Sequence, residues 1–352
     1  MADELRDLGL TAKVEEGGVS FQTDARGLYA VNRWSRLAGR IVVRAGVFSA
    51  SSLEAMAAGI RRIAWRGWVA PHQPLDIAVT LHSSRLRARE SVARKVEHAI
   101  ADALRGPRTE GGRAPRDVAR VGVRVVADRA EISIDASGEL LHRRGWRLET
   151  AEAPIRENLG AAILRLADWV PGEALVDPMC GSGTFSIEAA GIALGLAPGA
   201  RRSFAFERWP SFDSAVWEQV KRATSPPLDK SAPILTSDRE AGAVKAARAN
   251  ATRAGVAGRI ALSQLAFEAV VPPAATGLVV LNPPYGARIT RNGGSGGIQS
   301  IGAVLRSSWR GWRFAILCAD PRWIGALGMP SETLAKFSNG GLSVRLIAGR
   351  VP

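Results

Sequence analysis

ALVDPMCGSGTFSIEAA, residues 174–190, decides how the rest of the chain is read. An apolar run ends at Asp177. A glycine turn, Gly181-Ser182-Gly183, follows, and a second apolar segment starts at Thr184. Glycines allow positive φ and close approach of a ligand to the backbone. Thr184 stands where the start of a helix leaves N–H groups unpaired. The turn is not a phosphate-binding loop, because no Gly-Lys-Ser/Thr follows it. It is a poor dinucleotide fingerprint too, since Phe185 and Ser186 replace the later pattern and the third glycine is missing. A strand, an acid, a glycine turn and a helix remain.

Working outward, the pattern predicts strands at 173–177, 232–236, 259–263, 277–281 and 313–318. Helices are predicted at 155–170, 184–195, 240–254 and 298–309. Strand and helix in alternation point to an α/β, Rossmann-like domain with a mostly parallel sheet. Asn339-Gly340, between two possible strands, suggests an antiparallel last strand. Residues 201–233 interrupt the rhythm and bring Trp209, Phe212 and Trp217 among arginines and lysines. They form either an inserted helical subdomain whose aromatics pack, or a lobe that stacks on substrate bases.

The first 150 residues differ. Strands are predicted at 19–23, 40–44, 75–80 and 121–125, with helices at 51–63 and 89–105. In the second helix Val92, Val96, Ile100 and Leu104 form one apolar stripe. An α+β front is expected. Residues 106–116, rich in Gly, Pro and Arg, read as an exposed loop, and residues 145–154 as a boundary.

The 352 residues carry a net charge of +14, with Arg far ahead of Lys. Such a surplus attracts polyanions and favours nucleic acid as a partner. No apolar stretch approaches the roughly 20 residues of a membrane helix, and the N-terminus has no signal pattern. A soluble, cytoplasmic, monomeric protein without a membrane partner is expected. Cys180 and Cys318 have no paired spacing, and the four histidines are scattered, so neither a disulfide framework nor a metal site is indicated.

LNPPYGAR, residues 281–288, ends the fourth strand of the α/β part. Proline fixes its own φ and extends the residue before it, so Asn282-Pro283-Pro284 is stiff. The prolines offer carbonyls without N–H groups, and Asn282 adds a side-chain carbonyl. Two rigid acceptors suit an exocyclic –NH2 group, and Tyr285 can stack on the base that carries it. Catalysis there would be positioning and electrostatics, without a covalent intermediate.

The strand–Asp–x–x–x–Gly–x–Gly–helix turn resembles the S-adenosylmethionine site of class I methyltransferases. That resemblance implies S-adenosylmethionine as cofactor, with Asp177, Met179, Cys180, Gly181, Gly183 and Thr184 around it. It also implies that Asp238, ending the next strand, holds the ribose hydroxyls. Asp238 also suits the N-cap of the helix from 240. The Asp that many such enzymes place beside the adenine amine is missing from Ser263–Glu268; Gln264, Glu268 or backbone atoms are the alternatives.

DPMCGSGT together with LNPPYG is similar to the guanine-N2 RNA methyltransferases that carry an N-terminal THUMP domain and, here, a single methyltransferase domain. Ile132–Gly138, Leu141–Arg147 and Ala153–Leu159 resemble the end of that THUMP domain and its linker, and Ser83–Leu86 its interior. Glu207–Asp213 resembles a segment of the ribosomal-RNA branch. The resemblance implies a ferredoxin-like first domain over 1–60; the sequence departs from the family by beginning near the end of that domain's first helix, so either the first strand is lacking or the start codon lies upstream. The resemblance further implies an RNA-gripping THUMP domain over 61–148 and a Rossmann-like methyltransferase domain over 149–352. It makes Asn282, Pro283, Pro284 and Tyr285 the catalytic positions and RNA the partner, rRNA before tRNA. Rivals are a DNA adenine-N6 enzyme, a glutamine methyltransferase, a 5-methylcytosine enzyme using a cysteine, and a non-catalytic RNA-binding assembly factor.

Overall fold

Residues 1–105, 117–148, 155–225, 232–283, 296–339 and 341–352 are described by the structure, a computed structural model. In chain order the front gives α1 (Ala2–Asp7), β1 (Ala12–Glu15), β2 (Gly18–Phe21), α2 (Ala25–Trp34), β3 (Val42–Ser49) and α3 (Leu53–Arg61). It continues with β4 (Leu75–His82), α4 (Arg89–Leu104), β5 (Ala119–Val126) and β6 (Arg129–Asp135). Then come α5 (Glu157–Leu166), β7 (Leu175–Asp177), α6 (Thr184–Ala193), α7 (Ser214–Arg222), β8 (Ile234–Asp238) and α8 (Ala241–Ala254). The chain ends with β9 (Ala261–Gln264), β10 (Leu278–Leu281), α9 (Gly296–Ser308), β11 (Arg313–Cys318), α10 (Arg322–Ala326), β12 (Glu332–Asn339) and β13 (Leu342–Arg350).

Two compact units result: Met1–Leu141 with Arg202–Ala223, and His142–Arg201 with Thr224–Pro352. The second is the α/β unit. Its sheet has the order β12-β13-β11-β10-β7-β8-β9. β11, β10, β7, β8 and β9 run parallel, while β13 pairs antiparallel with β11 and β12 with β13. The expected mostly parallel sheet and antiparallel last strand are both present. The inner strands β7 and β10 are buried at every residue, as a sheet covered on both faces requires.

Period-two alternation sorts those strands into two cores. Leu175, Leu278, Val280, Ala315 and Leu317 face one way, with Ile163, Phe185, Ile187 and Ala251 of α5, α6 and α8. Val176, Val279, Leu281, Phe314 and Ile316 face the other, with Ile301, Leu305, Trp309 and Trp312. The predicted helix over 155–170 stops at Leu166, and Asp168 turns left-handed (φ 50°).

The front unit holds a four-stranded sheet, β3-β6-β5-β4, and the β1-β2 hairpin. The stripe Val92, Val96, Ile100 and Leu104 is buried, as its spacing predicts. β6 was not anticipated as a strand. It pairs antiparallel with β3 and β5, and it carries β3 through a bulge on to Ser49. Residues on both sides of position 60 therefore share one sheet. The loop expected over 106–116 lies outside the described residues.

The segment after Arg201 packs into the front unit's core. Tyr29 stacks on Phe206 at 4.2 Å, and Trp217 meets Phe206 edge-on at 5.2 Å. Phe204, Phe206, Trp209, Trp217 and Val220 are all buried there. Polar bonds fix the segment as well. Phe206 N donates to Ala136 O at 3.1 Å, Ser211 Oγ to Gly67 O at 2.6 Å, and Asp213 N to Tyr29 Oη at 3.1 Å. The aromatics that suggested base stacking are thus structural. Trp217→Ala should cost about 3–5 kcal/mol, read as a lower denaturant midpoint for the front unit; a midpoint equal to wild type would show that the segment does not support that core.

Candidate cofactor and catalytic site

The site is built at the carboxyl ends of β7, β8 and β10, where parallel α/β sheets bind their ligands. Register fixes it: Asp177 of β7 pairs with Thr236 of β8, and Asp238 of β8 with Gln264 of β9. β7 pairs with β10 on its other side, so Asn282 and Pro283 follow directly from a neighbour of Asp177's strand.

Asp177 is fully buried and accepts from Ser186 Oγ at 3.4 Å; Ser186 in turn is bonded to Thr236 Oγ1. Burial first, and the Asp238 carboxylate second, push the Asp177 carboxyl up to about 8. The turn after it is tightly pinned. Cys180 N donates to Ser237 O at 3.0 Å, and Gly183 N to Cys180 O at 2.8 Å. Gly181 and Gly183 take φ of 53° and 86°, left-handed values that glycine adopts without strain. A Cβ on Gly183 would lie 3.1 Å from Ala247 Cβ, so α6 and α8 meet across a bare backbone. Asn250 Nδ2, buried, donates to Ser182 O at 3.1 Å.

Asp238 closes this arrangement. Its Oδ2 accepts from Gly181 N at 2.9 Å, and its Oδ1 from Glu240 N at 3.0 Å. Glu240, not Asp238, is the N-cap of α8. Each carboxylate oxygen keeps a second lone pair for a diol. Asp177, Met179, Cys180, Gly181, Gly183, Thr184 and Asp238 are therefore brought together. Asn282 is half-buried and Pro283 buried; Pro284 and Tyr285 lie outside the described residues.

Other candidates sort out physically. Cys180 is buried, and burial with Asp177 and Asp238 nearby drives its thiol far up. Cys318 is buried within β11, its thiol pushed up to about 12 by burial. Neither is a ready thiolate nucleophile, which removes the reading of a 5-methylcytosine enzyme built on Cys318. Burial and then Arg156, Arg143, Arg144 and Arg147 hold His142 down to about 4. At neutral pH it is uncharged. Gln264 is exposed and its Nε2 donates to Arg239 O at 3.2 Å, while Glu268 is exposed.

Two buried ion pairs were not anticipated. Arg144 Nε lies 3.3 Å from Glu188 Oε1, each side chain 2% exposed, and Arg147 Nε lies 3.2 Å from Glu157 Oε1. The signal was available: Glu188 is the lone charge in TFSIEAAGIA, and carboxylates are almost never buried there without a partner.

Residues 144–322 match the RMKL-like methyltransferase domain, and residues 1–42 the RlmL ferredoxin-like domain. A provisionally named RNA methyltransferase of Synechocystis is 33% identical over 98% of this chain and 92% of its own. The chain belongs to the RMKL-like methyltransferase family. Among solved structures, SMU.472, provisionally named a methyltransferase and complexed with S-adenosylhomocysteine, superimposes with a TM-score of 0.86. It is 30% identical and is matched over all of this chain and 94% of its own. A protein from Listeria monocytogenes, named a predicted N6-adenine-specific DNA methylase, gives 0.89 at 28% identity over all of this chain and 92% of its own.

The cofactor of this RMKL-like methyltransferase is S-adenosylmethionine, and the residues fit it. The turn presents bare backbone at a helix start, Asp238 offers acceptors for vicinal hydroxyls, and Asp177 places an acid at the strand end. No helix among the described residues is long and apolar enough to cross a membrane.

The Asp177 proton has a measurable consequence. Its folded pKa of about 8 lies above the ordinary 3.8. Folding therefore holds the proton: the stabilisation is full below pH 3.8 and is lost as pH climbs through about 8. Chemical denaturation of the chain without cofactor should show stability declining across that window, and Asp177→Asn should flatten the decline. An unchanged slope in the variant would refute the assignment.

Proposed function

We propose that the protein transfers a methyl group from S-adenosylmethionine to the exocyclic N2 of a guanine in RNA, with 23S rRNA as substrate. The observation that carries this reading is Asn282-Pro283 at the end of β10, beside the strand whose end bears Asp177 and the glycine turn. The cofactor supplies an electrophilic sulfonium methyl. Asn282 Oδ1 and the Pro283 carbonyl accept the two hydrogens of the base amine. That bonding orients the nitrogen lone pair, which in a free guanine is delocalised into the ring. The N–CH3 bond forms as the S–CH3 bond breaks, one amine proton leaves to solvent, and S-adenosylhomocysteine remains. Pro284 and Tyr285 complete the catalytic positions in this reading, the tyrosine as the ring type that stacks on a base.

Asp177, Met179, Cys180, Gly181, Gly183, Thr184 and Asp238 hold the cofactor in this reading, and Asp238 takes the ribose. RNA is supported by the +14 charge and by the Synechocystis relative's name. The lean towards rRNA rests on the resemblance of Glu207–Asp213 alone, because that segment's aromatics are core. A tRNA guanine is the alternative. The Listeria relative's name raises a second reading, adenine N6 in DNA, which is the same amine chemistry on another base.

Incubating the protein with labelled cofactor and separate pools of rRNA, tRNA and DNA, followed by nucleoside analysis, decides among these. Label in N2-methylguanosine from rRNA is expected. Label confined to N6-methyladenine would overturn the guanine assignment, and label in tRNA alone the rRNA one. Asn282→Ala should lower turnover at least about a hundredfold, as loss of a transition-state donor or acceptor does, while S-adenosylhomocysteine still binds. Loss of binding together with turnover would make Asn282 structural.

A further inference from the structure

Helix α6 starts without a side-chain cap, since its N-cap is Gly183 in the left-handed conformation. Its first residue is gripped from outside instead. Thr184 Oγ1 accepts from Arg147 Nη2 at 2.7 Å, and the same Nη2 donates to Ile155 O at 2.8 Å. On the other edge of the guanidinium, Nε sits 3.2 Å from Glu157 Oε1 in the first turn of α5. Space behind Thr184 is closed: a Cβ on Gly160 of α5 would come within 2.9 Å of Thr184 Cγ2. The Arg147 and Glu157 side chains are 11% and 4% exposed. A guanidinium this far from water is costly unless its donors are matched. One of its matches is the residue that follows the glycine turn.

We infer that Arg147 is a positioning residue for cofactor binding: through Thr184 it fixes the Gly181–Gly183 turn in the shape that receives S-adenosylmethionine. The inference rests on the cofactor reading of that turn. Arginine suits the task because Nη2 bonds Thr184 and Ile155 while the other edge of the same plane, Nε, makes no hydrogen bond but keeps Glu157 in ion-pair reach. A control lies on the same helix. The Arg144–Glu188 pair is as deeply buried, but Glu188 lies four residues beyond Thr184, a full helical turn from the glycines.

The test is calorimetric titration of the full chain with S-adenosylhomocysteine. Thr184→Val, which keeps the shape and removes the acceptor for Arg147 together with the long Thr184 Oγ1 bond to Ile155 O at 3.4 Å, and Arg147→Gln should each weaken binding about tenfold. The double variant should be no weaker than either single one, because the two share one interaction. Arg144→Gln should lower the thermal midpoint and leave affinity within about twofold of wild type, since its pair does not touch the turn. Asp238→Ala reports on the cofactor reading itself. Wild-type affinity in Asp238→Ala would sink that reading. Lost affinity in Asp238→Ala with wild-type affinity in Thr184→Val would overturn the role of Arg147 alone. So would an equal loss in Arg144→Gln, which would make the effect one of general helix stability. Should Arg147→Gln fail to fold, Thr184→Val decides.

Discussion

Three residues of parallel register, Leu175 to Asp177, govern the α/β unit. β7 is the middle of the five parallel strands, bonded to β10 on one side and β8 on the other. Both neighbours run on past Asp177, β8 to Asp238 and β10 to Leu281. Because Leu175 and Val176 enter opposite cores, a slip of one residue would send each side chain of β7 into the other core. The register is thus specified by packing, and the placing of Asp177, Asp238 and Asn282 at one edge follows from it.

Charge is used sparingly inside this unit, and where it is buried it joins segments that packing alone would leave loose. Residues 142–148 contain no helix or strand. They are held by Arg144 on Glu188, by Arg253 Nε on the Trp146 carbonyl at 3.0 Å, and by Arg147 on Thr184. Replacing such pairs with apolar groups is often neutral or stabilising in other proteins. Their value lies in direction, because hydrogen bonds from a guanidinium define an orientation that an apolar contact does not.

Periodicity made most of the α/β unit legible. Strand 313–318 coincides with the prediction, and β8, β9 and β10 fall within two residues of theirs. There the local pattern and the buried environment agree. β6 was missed although its trace was local: RAEISID alternates polar and apolar at every position, and Ala130, Ile132 and Ile134 are buried. Asp177, Asp238 and the glycine turn were legible from type and spacing, since positive φ and strand-end acids leave a sequence trace. Arg147 was not. Its role depends on Thr184, 37 residues away, and nothing local announces a partner at that distance. The aromatic segment left two readings open, because Trp and Phe beside Arg look alike whether they stack on bases or on Tyr29; packing is the one the structure bears out.

The segment from Arg202 to Ala223 also sets an order of events on the ribosome. Phe204, Phe206 and Trp217 belong to the front unit's core, yet they are synthesised after β7 and α6. β7, in turn, needs β8 and β10, both of which come later still. Domains usually fold one after another as they emerge. This chain instead carries an unfinished front and an unpaired central strand at the same time, and Trp217 must leave the exit tunnel before the first of the two can close.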